Sequence, residues 1–328
     1  MYSCTWKRYR RPFRQPLLTG HGFWAEREGI LLRLEDADGR TGYGEVVPIP
    51  WFGTETIESA MIQLGLLGPS VDPEVMTRIP GTHPCCRAAV GAALAGLNGS
   101  EYPKGRRLPV AALLPPGSLA QSALEERLDL GFLSAKIKIG VGAMDEEWAQ
   151  VERLCRLLPE GGGLRLDANG SLDRARARAW LGFVADLPVE FVEQPLPVDD
   201  PDGLLGLASD HPTPIALDES VVRVDDLKRW RDRGWPGLFV IKPALAGDPI
   251  ELMDEIGEDD SFVFSSAMET LIGHRGSLRV AFQCTSKRAL GFGTGAFFAD
   301  QIDEPFLASD AVGILDLDYQ WRRYTVDR

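Results

Sequence analysis

A chain of 328 residues that is 44% hydrophobic and 25% charged has an ordinary globular composition. That length suits one barrel of roughly 200–250 residues plus a smaller domain of about 100. The formal net charge of −13 argues against nucleic acid or an anionic membrane as partner, so a small anionic substrate would need local positive charge such as a metal ion.

The opening stretch, MYSCTWKRYRRPFRQPLLTG, is basic but lacks the apolar core and small-residue cleavage site of a secretory signal. No apolar run approaches the roughly 18 residues that suggest a membrane span. Residues 15–28, QPLLTGHGFWAERE, form a glycine-containing connection that carries Trp24 and Arg27. The next segment, GILLRLEDADGRTGYGEVVPIP, predicts two antiparallel strands joined by a turn at Asp36–Arg40. Two helical stretches follow, near 55–67 and 85–98. Cys85 and Cys86 read as core packing there, as do Trp51 and Phe52 just before. The five cysteines are odd in number and show no CxxC spacing. Neither a disulfide framework nor a zinc site is expected, and a cytoplasmic location fits. His83, His211 and His274 show no ligand-like spacing. Residues 1–105 therefore read as an α+β domain, and residues 106–311 as a second unit with a different period.

In that second unit apolar runs alternate with amphipathic stretches. The strand candidates are 108–115, 134–140, 164–170, 189–195, 214–220, 238–244, 261–270 and 289–295. Helical patterns sit between them at 143–158, 173–187 (with Ser171 as a cap) and 224–234. Eight strands alternating with helices imply a parallel sheet of the number that closes a barrel. The segment ILDLDYQWRRYTV, within 312–328, reads as a last strand that packs back onto the N-terminal domain.

Asp167, Glu193 and Asp218 each end a predicted strand, 26 and 25 residues apart, the length of one βα unit. A barrel places such residues on one rim, the face on which barrel enzymes build their sites. Three crowded carboxylates repel one another unless a cation neutralises them. An all-oxygen set of that number suits Mg²⁺, with Mn²⁺ as a substitute. Lys136 and Lys138 share a face of the preceding strand, and Lys242 ends the strand after Asp218. Three of the seven lysines thus fall at one rim, flanking the acids on both sides, which would give a pair of bases facing each other across a metal. Burial and a nearby cation are expected to lower their pKa toward the working range of a base.

The ordered set KIK, LDANG, VEFVEQP, LDES, FVIKP and SSAMET resembles the enolase superfamily, in particular its muconate-lactonizing subgroup. The resemblance covers nearly the whole chain. GYGEVVPIPWFGTET (42–56) is most similar to the capping domain of the o-succinylbenzoate synthase family. It implies an α/β fold, a modified (β/α)7β TIM-type barrel with an N-terminal α+β capping domain. It also implies that Asp167, Glu193 and Asp218 ligate Mg²⁺, and that Lys138 removes a proton alpha to a substrate carboxylate. An enediolate intermediate follows, with syn loss of water. Lys136 would tune Lys138, and Lys242 would stabilise the anion from the opposite face. Asn169 would orient the metal site. The loop at 15–28 lies where the family has a mobile lid, which makes Trp24 and Arg27 candidate substrate contacts. Ser265 and Ser266 are candidates to bind a distal carboxylate, with Glu269 and GFGTG (291–295) shaping the pocket floor. The expected partner is a small carboxylate, with no nucleic acid or membrane; monomer and homo-oligomer stay open. Racemases and cycloisomerases of the subgroup share the lysine pair and remain alternatives. Dipeptide epimerases carry an acidic DxD where this chain has GFGTG, which counts against them. A non-catalytic barrel would be expected to have lost a ligand or a lysine, and none is missing.

Overall fold

The computed structural model describes residues 1–19, 22–99, 108–300 and 317–324. The junctions expected at 105–106 and 311–312 both lie outside these residues. The N-terminal part opens on a long hairpin, β1 (Tyr2–Thr19) and β2 (Gly22–Glu35), followed by β3 (Thr41–Val46). With β4 (Ser70–Val71) these make an antiparallel sheet in the order β3-β2-β1-β4. The sequence reading took 15–28 as a loop, whereas the structure pairs Leu17 with Trp24, Leu18 with Phe23 and Thr19 with Gly22, after a register shift beyond Pro12. Both arms of the hairpin are therefore strand.

Helices α1 (Ile57–Leu67) and α2 (Pro84–Leu97) cover this sheet. The approach of α2 to β3 explains the glycines of GYG. A Cβ on Gly42 would lie 1.9 Å from the Ala93 carbonyl oxygen, and one on Gly44 1.9 Å from that of Ala89. No side chain fits between these backbones. Cys85 and Cys86 are fully buried here, and all five cysteines are free and buried.

The second part is a parallel sheet of β5 (Ala112–Leu113), β6 (Ser134–Lys138), β7 (Gly163–Asp167), β8 (Val189–Glu193), β9 (Ile215–Leu217), β10 (Leu238–Ile241) and β11 (Phe262–Phe264), paired in chain order. Residues 290 and 291 complete the ring. Leu290 bridges Val110 beside β5, and Gly291 bridges Ser265 beside β11, both parallel. The connecting helices are α3 (Ala120–Asp129), α4 (Met144–Leu157), α5 (Arg174–Phe183), α6 (Pro201–Asp210), α7 (Val224–Asp232), α8 (Pro243–Ala246), α9 (Pro249–Ile256) and α10 (Leu271–Gln283). Seven βα units and a final strand position give the (β/α)7β arrangement. Apolar residues alternate along the staves: Ala135 and Ile137 of β6, and Ile139 just after it, face the helix layer, which frees Lys136 and Lys138 to face the interior. The cap of α5 is Asp173, whose side chain accepts from Arg176 N, rather than Ser171.

Residues 317–324 contain α11 (Leu317–Arg323), a helix where the sequence reading expected a strand. Leu317, Trp321 and Tyr324 fall on one helical face and pack against Tyr9, Leu31, Tyr43 and Ile272. Asp318 accepts from the Tyr43 hydroxyl, and the Trp321 carbonyl from Lys7. The segment thus lies on the N-terminal sheet.

Charged groups fasten the two parts. Glu45 of β3 is buried, and its carboxylate accepts from the Tyr9 hydroxyl, from Thr270 N at 2.9 Å, from the Thr270 hydroxyl and from Gly273 N at 2.8 Å. It caps α10 from the neighbouring domain. His274, one turn into α10, is 3% exposed with its ring edge-on to Phe292. Burial, aided by Arg11, drops its imidazolium pKa to about 3. The unfolded state takes a proton near pH 6.5 that the folded state refuses, so stability is lost as pH falls from there toward 3. That loss is about 1.4 kcal/mol per pH unit. Urea titrations at pH 6.5 and 5 should show a smaller loss in His274→Phe than in the parent; equal losses would contradict this.

Candidate active site

The strand register assembles the rim. Lys138 pairs with Asp167, Asp167 with Glu193, and Glu193 with Ala216, so these side chains share the interior face. Asp218 follows β9 directly, and Lys242 follows β10. Strands β6 and β10 stand four places apart in a ring of eight, so Lys138 and Lys242 face each other across it, with the acids between.

The acids are largely buried: Asp167 is 8% exposed, Glu193 1% and Asp218 5%. Lys136 Nζ lies 2.8 Å from both Asp167 Oδ2 and Glu193 Oε1. Lys242 is ion-paired with Asp218, and its ammonium sits 4.9 Å from the centre of the Phe52 ring. Lys138 is half-buried and makes no ion pair among the described residues. Burial, together with Asp167 and Asp218, raises the Glu193 carboxyl above its ordinary range, with Lys136 and Lys242 opposing. For Lys136 the direction is the reverse of the expectation from sequence. Burial lowers it, but Asp167, Glu193 and Asp218 together hold its ammonium above the usual lysine range. Negative charge outweighs burial at this rim, which is the condition for taking up a cation.

Among the described residues no three His, Cys, Asp or Glu side chains stand close enough together to hold a metal ion in this arrangement. Lysine ammonium groups fill the space between the acids instead. The donor chemistry fits a hard divalent cation: all-oxygen groups on three adjacent strand ends, with an excess of negative charge. Such an ion would take over the role that Lys136 and Lys242 play here.

The backbone is strained just beyond three of the expected site residues. The non-glycine residues with left-handed φ among the described residues are Asn169 (45°), Gln194 (37°) and Met268 (61°), each one or two places past Asp167, Glu193 or Ser266. Such conformations cost about 1–3 kcal/mol each and persist where the surroundings fix them. Gln194 shows how. Its fully buried Oε1 accepts from Asp218 N at 3.1 Å and Ser220 N at 3.2 Å, while its Nε2 donates to the Leu196 carbonyl and the Ser220 hydroxyl. It locks Asp218 to the neighbouring strand end. Gln194 was visible only as the middle of EQP, with no separate signal in the sequence.

The other expected contacts are distributed differently. Asn169 Nδ2 donates to Glu219 Oε1 at 3.1 Å, and Asn169 N to Asp167 Oδ1. Ser265 donates to the Gly291 carbonyl at 3.1 Å. Ser266 donates to Glu269 at 2.8 Å, and Glu269 also accepts from Ala267 N and from Ser277. Arg27 sits between the two domains. It is 2% exposed and donates to the carbonyls of Glu28, Val47, Pro48 and Ala267, so it clamps the domain interface rather than facing a ligand. The Trp24 ring meets Phe13 and Trp51 edge-on, in an aromatic cluster rather than against the acids. Phe52, read from sequence as core, stands over Lys242.

Two family models match the chain: "MenC, N-terminal domain" over residues 1–70 and "Enolase C-terminal domain-like" over 118–254. The chain is 41% identical over 294 residues to the o-succinylbenzoate synthase of Thermosynechococcus vestitus, covering 88% of this chain and 91% of that one. A crystal structure of o-succinylbenzoate synthase from Thermosynechococcus elongatus BP-1, with Mg in its active site, superposes with a TM-score of 0.86 at 38% identity, over 98% of this chain and 99% of that one. The muconate lactonizing enzyme of Pseudomonas fluorescens shares the fold, with a TM-score of 0.76 at 23% identity over 93% and 92% of the two chains. Full-length similarity, the capping sheet and the seven-unit barrel agree: the chain belongs to the o-succinylbenzoate synthase family, lyases of the enolase superfamily.

Proposed function

We propose that the chain catalyses Mg²⁺-dependent syn dehydration of 2-succinyl-6-hydroxy-2,4-cyclohexadiene-1-carboxylate to 2-succinylbenzoate and water, a step toward menaquinone or phylloquinone. The observation that carries this reading is the near-complete 41% identity to a synthase of that name, in a chain whose rim retains both flanking lysines. A cytoplasmic setting fits its buried free cysteines.

Asp167, Glu193 and Asp218 would hold the ion. Bound there, Mg²⁺ supplies positive charge for the substrate carboxylate as negative charge develops on it. Lys138, with no ion pair among the described residues, takes the proton alpha to that carboxylate and then delivers it to the departing hydroxyl on the same face. The C–O bond breaks as the ring becomes aromatic, which drives the step. Lys136, released from between Asp167 and Glu193, binds the carboxylate. Lys242 opposes Lys138 and stabilises the anionic ring from the far side. Ser265 and Ser266 would meet the succinyl end by exchanging their present bonds to Gly291 and Glu269.

An N-succinylamino acid racemase would use the same opposed lysines. Purified protein assayed with Mg²⁺ on the cyclohexadiene substrate and on N-succinyl amino acids side by side is expected to favour the former. Turnover of the amino acids alone would move the assignment to the racemase. Asp218→Asn is expected to raise the Mg²⁺ concentration for half-maximal activity at least tenfold; an unchanged Mg²⁺ dependence would remove Asp218 from the ligand set.

A further inference from the structure

Glu219, next to Asp218 in the loop between β9 and α7, has no role in the reading above. One of its oxygens is anchored: Oε1 accepts from Asn169 Nδ2 at 3.1 Å. Asn169 in turn donates its backbone N–H to Asp167 Oδ1 at 3.1 Å. The link spans β8, from the loop after β7 to the loop after β9. The other oxygen, Oε2, is buried and has no hydrogen-bond partner. A buried carboxylate oxygen without a donor loses about 1–3 kcal/mol of solvation, and more when charged. Such an atom is retained where something absent from the protein itself satisfies it.

Charge counting points to what that is. Asp167, Glu193, Asp218 and Glu219 bring four carboxylates to this rim. Lys136 and Lys242 are the ammonium groups in contact with them. With Lys138 at the same rim, four carboxylates face three ammonium groups, an excess of carboxylate oxygen that suits a hard divalent ion. Mg²⁺ keeps several of its waters when protein carboxylates bind it, and each water presents O–H donors to groups behind the ligands.

We propose that Glu219 is a positioning residue of the cation site, its Oε1 fixed by Asn169 and its Oε2 accepting from a water on the bound ion. It thereby ties the loops that carry Asp167 and Asp218 around the ion. This rests on the reading of Asp167, Glu193 and Asp218 as ligands.

The test is Mn²⁺ binding to the full chain, followed by the electron paramagnetic resonance signal of free Mn²⁺, with water-proton relaxation of the bound ion as a second readout. Glu219→Gln should weaken binding about 10–100-fold, the usual effect of losing a group behind the ligands. It should also change the relaxation enhancement of the bound ion, which a merely structural residue would not alter. The melting temperature of the ion-free protein should stay the same, since Oε2 has no partner to lose. Asn169→Ala should weaken binding less, and should add nothing to Glu219→Gln in the double variant. Wild-type affinity and relaxation in Glu219→Gln overturn the proposal. If Asp218→Asn loses binding in that experiment, the ligand trio stands and the role of Glu219 alone fails. If Asp218→Asn also binds normally, the reading of the trio fails with it. Should Glu219→Gln fold poorly, Asn169→Ala decides: unchanged affinity there overturns the coupling.

Discussion

Replacing Lys138 with alanine is expected to lower turnover of the cyclohexadiene carboxylate by about 10²–10⁴-fold, the range a positioned base contributes, while the protein keeps its melting temperature. The two parts of this expectation have separate causes. Lys138 ends β6, in register with Asp167, where its amine faces the ring interior opposite Lys242. It forms no ion pair among the described residues, so its removal leaves no buried acid without a partner. Lys136→Ala is the informative contrast. That ammonium bridges Asp167 and Glu193 at 2.8 Å each, and its loss exposes two buried carboxylates to each other. The ion-free Lys136→Ala protein should be destabilised, and Mg²⁺ should restore much of the loss. Activity of Lys138→Ala within tenfold of the parent, measured by product absorbance, would contradict the assignment of the base.

The largest effect on stability is expected at Glu45, more than 200 residues away in sequence from most of its partners. Glu45→Leu removes the acceptor for Thr270 N, Gly273 N and the hydroxyls of Tyr9 and Thr270. Buried donors left unsatisfied cost about 1–3 kcal/mol each, and partial relaxation brings the sum to roughly 3–4 kcal/mol. The melting temperature should fall by roughly 4–6 °C. Glu45→Gln, which keeps an acceptor oxygen, should recover part of that. The same carboxylate seats the capping sheet beside Ser266 and Glu269, so Glu45→Gln should raise KM more than it lowers kcat. A melting temperature within 2 °C of the parent for Glu45→Leu would contradict this account of the interface.

The barrel was legible in the sequence because one physical pattern repeats. Each stave must be apolar toward the helices, and its last residue must reach the rim. Asp167, Glu193 and Asp218 therefore announce themselves by spacing alone, and Lys136 and Lys138 by sharing a face. Features that depend on distant partners were not legible. RYRRPFRQP reads in sequence only as basic, yet β1 is a strand because β2 pairs with it and because Arg11 finds Asp300 at 2.8 Å and the Glu269 carbonyl. Arg27 looked like a free cation in a lid, and nothing local reveals that the Ala267 carbonyl, 240 residues on, accepts from it. The stretch around Asp316–Arg323 alternates well enough for a strand, but it also carries the i, i+4, i+7 face of Leu317, Trp321 and Tyr324 that Tyr9 and Tyr43 select. Gln194 and Glu219 stood inside quoted motifs, one place past an acid. Their roles depend on left-handed and cross-strand geometry that spacing does not encode.

The most direct test is a crystal structure of the full chain grown with Mn²⁺, read by anomalous scattering. The account predicts one strong peak within ligand distance, about 2.0–2.3 Å, of carboxylate oxygens of Asp167, Glu193 and Asp218, with Lys136 Nζ withdrawn from between the first two. No peak at the rim, or a peak elsewhere with Lys136 still bridging Asp167 and Glu193, would contradict it.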